Sequence, residues 1–391
     1  MRVVEANLGS PAAPALRASL VELAGSRSLR MVLVLLLLWT GLAIYPETRE
    51  AFLTAGNFSN LTAQVAEIVI IGVGMTMVIL IGGIDLSVGS GMALCGVVAA
   101  ELQIDHHQPA WVAILAAIAV ATVVGGWHGL LVSRFQIPPF IATLSGFSAY
   151  RGLALVLSNA RGLSPMSPDF AFLGGRVPGG ASFALIVLAF AFGVTRVVRK
   201  DRRRRHLALP PRGAPMAASL AAMAAVTLFL VAIYQDGMPV PVLLAALATG
   251  AGAFVLRQTR FGRHAVAIGG NVEAARVVGI PVARVTILIY LLTGVLTALA
   301  GLVVAARTNG VTPANMGLKE ELNVISAVVI GGTSLTGGRA TMVGTVIGAL
   351  IFGTLSNGMN HLGVSSNWQP ILTGMILVGA SLLDSPAIRK K

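Results

Sequence analysis

The sequence predicts an all-α, polytopic membrane protein of about twelve transmembrane helices. Three observations carry this expectation. The 391 residues are 55% hydrophobic and only 11% charged, where soluble domains carry roughly 25% charged residues. Apolar runs close to the ~20 residues needed to cross a bilayer recur along the whole length. In a twelve-span topology, all of the 28 Lys and Arg fall on one side except Arg49, Arg151, Arg161, Arg176, Arg307 and Lys319. That asymmetry follows the positive-inside rule.

The same asymmetry turns the net charge of +13 away from nucleic acid and toward anionic lipid and a cytoplasmic partner. The 45 glycines fit helices that pack closely in lipid. Cys95 is the single cysteine, so no intrachain disulfide forms; it reads as a small buried hydrophobe.

Taken in order, residues 1–27 form a basic cytoplasmic segment and 28–391 a transmembrane domain. No small-x-small cleavage site follows the first apolar run, which reads as a retained span. Spans are expected near 28–45, 62–81, 86–101, 110–132, 138–158, 181–198, 216–234, 240–256, 285–306, 320–335, 340–358 and 367–384. The third and tenth are short and interrupted. An even count places both termini in the cytoplasm, including Arg389-Lys390-Lys391. The basic connections 196–212 and 257–284 face the same way, and the run from Arg199 to Arg205 reads as a topology signal touching headgroups. Trp111 and Trp368 fall at span ends, where indoles favour the interface.

One internal echo links two halves. Ile81-Gly82-Gly83-Ile84-Asp85-Leu86-Ser87-Val88-Gly89 resembles Ile330-Gly331-Gly332-Thr333-Ser334-Leu335-Thr336-Gly337-Gly338. Glycine-interrupted segments at matching places mark transport pathways; a pair of similar cytoplasmic turns, or chance in a Gly-rich chain, are the other readings. Asp85 is costly in lipid and is expected to face protein or water. Arg151, in the fifth span, either snorkels outward or pairs with an acid, Glu67 being one candidate. His128 reads as a satisfied packing residue. The outer connection 159–180 is long enough to meet an external protein or solute.

The polar stretch Gly269 to Pro281 reads as a short helix with marked ends. Asn271 caps it. Glu273 and Arg276 match its dipole. Gly279 suits the left-handed position just past the helix, and Pro281 blocks continuation. Ala274 and Ala275 leave a smooth centre. The stretch is either a docking knob or a capped loop helix with no partner.

No G-x-x-x-x-G-K-[ST] occurs, so the chain carries no P-loop. It also lacks H-E-x-x-H, paired cysteines and aspartate-rich pairs, which leaves a membrane enzyme the weaker class. A stand-alone facilitator would need no docking helix.

From about residue 57 onward the chain resembles the permease subunits of bacterial ABC sugar importers, the branch of ribose and xylose permeases. The carriers are Val73-Gly74-Met75-Thr76; Gly82 to Ser90; Phe140 to Leu144 with Arg151-Gly152; Ala267 to Asn271 with Glu273 to Arg276; and Val329 to Leu335. The resemblance implies a ten-helix core in two pseudo-repeated halves. It implies a second permease copy, a cytoplasmic ABC ATPase that holds ATP and Mg, a periplasmic sugar-binding protein and a monosaccharide substrate. The chain itself binds no cofactor or metal. Asn271, Glu273, Ala274, Ala275, Arg276 and Gly279 become the helix that couples to the ATPase, within a coupling loop 257–284. Asp85, Ser87, Ser90, Thr143, Arg151, Thr333 and Ser334 become translocation-pathway residues. Residues 181–234 look like an inserted helix pair, a longer form most similar to xylose permeases. The resemblance places the protein in the bacterial inner membrane. Permeases for ribose, autoinducer or branched-chain amino acids are the competing readings.

Overall fold

A computed structural model describes residues 27–207 and 213–365, with scattered positions from Asn367 to Gly379. The expectations for residues 1–26, for most of the 367–384 span and for the Arg389-Lys390-Lys391 tail lie outside the described residues.

The protein is an all-α, multi-pass membrane protein. In order, the helices are α1 (Arg27–Ile44), α2 (Pro46–Phe52), α3 (Ala55–Leu80), α4 (Val88–Ile104), α5 (Ala110–Ser133), α6 (Pro139–Leu157), α7 (Pro168–Ala171), α8 (Gly179–His206) and α9 (Gly213–Ile233). They continue with α10 (Val240–Gln258), α11 (Arg260–Gly270), α12 (Val272–Val277), α13 (Val282–Arg307), α14 (Glu320–Ile330) and α15 (Met342–His361). Two short strands, β1 (Arg176–Val177) and β2 (Met238–Pro239), pair antiparallel, Arg176 opposite Pro239. Each of the first eleven expected spans holds a helix. Among the described residues, 8 helices are long and apolar enough to cross a membrane, or 9 if α1 and α2 form one broken span.

Three boundaries differ from the sequence reading. Pro46 starts α2 at 108° to α1; a proline in the first turn followed by Glu47 was the available signal. α3 begins at Ala55 rather than near 62, because Thr54 Oγ1 accepts from Asn57 N at 3.1 Å and caps it early. α8 runs on to His206, although the basic stretch from Arg196 reads as a connection in the sequence. Arg and Lys are good helix formers, and no Gly or Pro interrupts the chain from there to Pro210.

By compactness the chain divides into two units. One contains Pro178–Gly237 with the described residues before Val34. In it α8 and α9 pack as a hairpin, with Gly193 against the Met223 thioether. The other contains Val34–Val177 and the chain from Met238 on. Its centre is α3, buried along 89% of its most apolar stretch and contacted by α10, α13, α14 and α15. With lipid as apolar as any side chain, close backbone approach supplies the packing. Gly294 of α13 sits on the Ala121 carbonyl of α5, and Gly301 on Met92 of α4. Hydroxyls add cross-links: Thr76 Oγ1 lies 2.7 Å from Thr345 Oγ1, and Trp39 Nε1 donates to Thr354 Oγ1 at 3.0 Å.

Candidate functional site

α12 has the ends that its sequence specifies. Asn271 Oδ1 accepts from Ala274 N at 2.9 Å. At the other end Gly279 has φ +80. Gly279 N donates to Arg276 O and Ile280 N to Ala275 O, both at 3.0 Å, the paired bonds of a Schellman turn. Glu273 and Arg276 form an exposed ion pair at 2.8 Å, which in water contributes little stability. Of the two alanines, Ala275 is buried and Ala274 faces out. Val277 and Val278, which the sequence reading passed over, are 86% and 73% exposed. The helix thus presents two bare valines beside a charge pair. Two adjacent valines before a helix-ending glycine were the signal.

The Gly-Gly echo is a repeated helix ending. After α3, Gly82 N donates to Ile79 O and Gly83 N to Val78 O, each at 2.9 Å. After α14, Gly332 N donates to Val329 O at 2.9 Å and Thr333 N to Val328 O at 3.2 Å. Gly82 and Gly332 take φ +80 and +90. The structural register is therefore Gly82 with Gly332, one residue away from the sequence alignment, and Asp85 corresponds to Leu335 rather than Ser334.

The first turn and the connection after α14 meet at the end of α11, just before α12. Gly338 N donates to Leu80 O at 2.9 Å. Gly269 is wedged against them: a side chain there would overlap the Leu80 carbonyl and come 2.6 Å from Gly338 N. Gly337 in turn lies against Gly269 O and Gly82 N. One junction of bare backbone thus joins the end of α3, the connection after α14 and the residue that leads into Asn271.

Behind the first turn lies a buried polar chain. Asp85 Oδ1 accepts from Ser87 N at 2.9 Å and from Ser87 Oγ at 2.6 Å. His128 Nδ1 lies 3.4 Å from Ser87 Oγ, and its Nε2 lies 3.0 Å from Tyr150 Oη. One proton arrangement serves every member: Tyr150 donates to Nε2, Nδ1–H to Ser87, and Ser87 to Asp85. Ser90 Oγ donates to Ser87 O, and Thr143 Oγ1 to Ile84 O at 3.2 Å. Asp85, Ser87, Ser90, Thr143 and His128 are all buried. A cavity of about 10 Å³ adjoins Asp85, Ser87, Gly91 and His128, about the room of a single water.

The other expected pathway residues lie apart. Arg151 Nη1 donates to the carbonyls of Pro313 and Met316 at 2.6 and 2.7 Å, so it holds the connection before α14. Glu67 pairs with Arg307 at 3.3 Å, not with Arg151. Arg307 ends α13 and lies nearer Glu67 than sequence distance implies. Thr333 is buried and Ser334 half-buried, its Oγ 2.9 Å from Thr336 Oγ1. The connections after α6 and α13 are tied by a bridge between Leu163 and Val311. Beside it a cavity of about 360 Å³ is lined by Gly162, Ser164, Thr308, Thr312 and Asn315. Among the described residues no group of His, Cys, Asp and Glu is placed to hold a metal ion.

A family described as branched-chain amino acid transport system / permease component matches residues 57–381. The chain belongs to this permease family. It is 37% identical over 349 residues to the xylose transport system permease protein of Haemophilus influenzae, covering 88% of this chain and 92% of that one. It is 38% identical to the xylose transport system permease protein of Escherichia coli K12 over 88% of both chains. It is 37% identical to the ribose import permease protein of Bacillus subtilis, over 85% of this chain and 86% of that one. No solved structure matches.

Proposed function

We propose that this chain is the membrane-spanning permease subunit of an ATP-driven importer of a monosaccharide, D-xylose first and ribose second. The observation that carries the reading is α12: a helix capped at both ends, presenting Val277 and Val278 beyond its charge pair, on a chain with no P-loop of its own. Energy then comes from a separate ATPase, which holds ATP and Mg, and Glu273 to Gly279 is where it docks. The relatives named for xylose and ribose import support the sugar class. The pair α8–α9, matching the longer form expected of xylose permeases, favours xylose.

The partners are a second copy of the chain, the ATPase and a periplasmic sugar-binding protein, in a bacterial inner membrane with both termini cytoplasmic. The binding protein docks over the outer connections near 159–180 and 307–321. Movement of α12 passes through Gly269 to the end of α3 and to the connection after α14 at once, because the three segments touch. Asp85, Ser87, Ser90 and Thr143 stiffen the pathway from behind. Thr333 and Ser334 line the pathway from the other half, at the places of Gly83 and Ile84, and Arg151 braces the outer connection. A neutral sugar asks for a weakly polar path, which suits so few charges.

The test is uptake of labelled pentose into proteoliposomes holding the permease, its ATPase and its binding protein. Xylose uptake that requires ATP is expected. Uptake without ATP favours a facilitator; uptake of an amino acid but no pentose overturns the sugar class. Glu273→Lys should leave the fold and ATPase turnover intact but stop uptake. Unchanged uptake removes the coupling role from α12.

A further inference from the structure

We propose that the cavity between the connections after α6 and α13 binds one neutral monosaccharide, as the first stop of the sugar on this chain. The cavity faces outward in the topology proposed for the permease, and the sugar class is the one proposed there, so the site rests on that reading. Its volume of about 360 Å³ falls at the lower end of the ~300–1,000 Å³ of small-molecule sites.

The lining has two kinds of surface. Leu163, Val311 and Met316 are buried and form an apolar floor. Ser164, Thr308, Thr312 and Asn315 are exposed and form a polar rim. Thr308 Oγ1 donates to Val304 O at 2.9 Å and Gly310 O at 2.8 Å, which leaves its lone pairs for an incoming donor. The side chains of Ser164, Thr312 and Asn315 make no hydrogen bond among the described residues. Hydroxyls and a carboxamide both donate and accept. A pyranose has the same two surfaces, C–H faces and a girdle of hydroxyls.

The cavity is also neutral. None of its lining residues is charged. The arginines beside it in sequence already have counter-charges: Arg161 pairs with Asp105 and Glu101, and Arg307 with Glu67. A carboxylate or phosphate would enter without a partner, whereas a polyol needs none. A protein loop would seek aromatic or arginine anchor pockets, which this lining does not offer. Two other cavities lack the combination. The one beside Asp85 has about the room of a single water, and one of about 110 Å³ near Leu80 and Thr341 carries Arg257.

The walls are set before a ligand arrives. Leu163 and Val311 exchange backbone hydrogen bonds of 2.9 and 2.8 Å. Asn309 Oδ1 accepts from Met166 N at 3.1 Å, and Arg151 holds the Pro313 and Met316 carbonyls. Preformed walls lower the ordering cost of binding. A few neutral hydrogen bonds still give only weak affinity, as a sugar in transit must leave again.

The experiment measures D-xylose binding to the full chain alone, in phosphatidylcholine nanodiscs, by saturation-transfer difference NMR. Saturable binding with a Kd of about 1 mM is expected, and roughly tenfold weaker binding of D-xylonate, its carboxylate analogue. Ser164→Ala, Thr312→Val and Asn315→Leu together remove the hydrogen bonds at exposed positions and nearly keep the volume. At about fivefold each, they should weaken binding on the order of 100-fold. Gly162→Phe plugs the cavity: a side chain there meets only Val311 O, at 3.9 Å. It should abolish binding. Gly180→Phe, at an open glycine that does not line the cavity, should leave binding unchanged. Unaltered binding in the triple variant or in Gly162→Phe overturns the site, as does xylonate bound as tightly as xylose. So does a Gly162→Phe chain that binds xylose but no longer captures the sugar-binding protein, since the cavity is then a protein socket. The importer reading is tested apart, by ATP-dependent uptake in the complete assembly. Uptake without binding to the chain alone refutes the site and leaves that reading standing; cavity-dependent binding without uptake does the reverse.

Discussion

The turn after α3 and the turn after α14 share a backbone and differ in everything attached to it. Both close a helix with the same two hydrogen bonds around a glycine of positive φ. The other glycine of each pair has a different reason. Gly83 lies under Tyr290, where a side chain would come 2.9 Å from the hydroxyl. Gly331 sits against Gly344, where a side chain would come 2.5 Å from the carbonyl. The segments beyond the two turns differ more. The first turn leads into Asp85, Ser87 and a buried chain to His128 and Tyr150. The second leads to Ser334 and Thr336 at the surface and then to Gly337 and Gly338, which return to the first turn. A repeated dipeptide therefore marks a repeated way of ending a helix, and the chemistry belongs to the side chains that come after.

Four comparisons by substitution sharpen or break that contrast. The largest effect is expected from Gly269→Ala, because the methyl overlaps the Leu80 carbonyl where the first turn meets the connection after α14. Overpacking against backbone should cost about 3 kcal/mol, read as a fall in Tm of the purified protein; an unchanged Tm means the junction yields. Asp85→Ala leaves the buried Ser87 N–H and hydroxyl without their acceptor. It should cost about 2 kcal/mol, while Ser334→Ala, at a half-exposed hydroxyl, costs under about 0.5 kcal/mol. Equal losses would erase the distinction between the turns. Gly82→Ala and Gly332→Ala should each cost about 1 kcal/mol, since both demand a left-handed residue. A clear inequality argues for the sequence register over the structural one. Smallest is Thr333→Val: its Oγ1 has no hydrogen-bond partner among the described residues, so the change should be neutral within about 0.5 kcal/mol or slightly stabilising. Marked destabilisation would reveal a partner for that hydroxyl.

Legibility tracked the range of the forces involved. Residues that act on their neighbours were readable: Asn271 capping Ala274, Gly279 ending α12, Pro139 opening α6. Arg151 was harder. A half-buried arginine needs partners, but whether Glu67 or two loop carbonyls supply them depends on which connection folds back over it.

By itself, the sequence determined the membrane class, the order of the helices and the short helix capped at both ends. These come from hydropathy, charge asymmetry and local capping, which act within a few turns of chain. Only the tertiary structure decided the register of the two turns, the meeting of Leu80, Gly269 and Gly338, and the chain from Tyr150 to Asp85. Those contacts join residues far apart in sequence through bare backbone and buried hydrogen bonds, and glycine carries no side chain to announce what it will touch. The same holds for α8: its arginines were visible as a run, but only the structure showed the helix continuing through them.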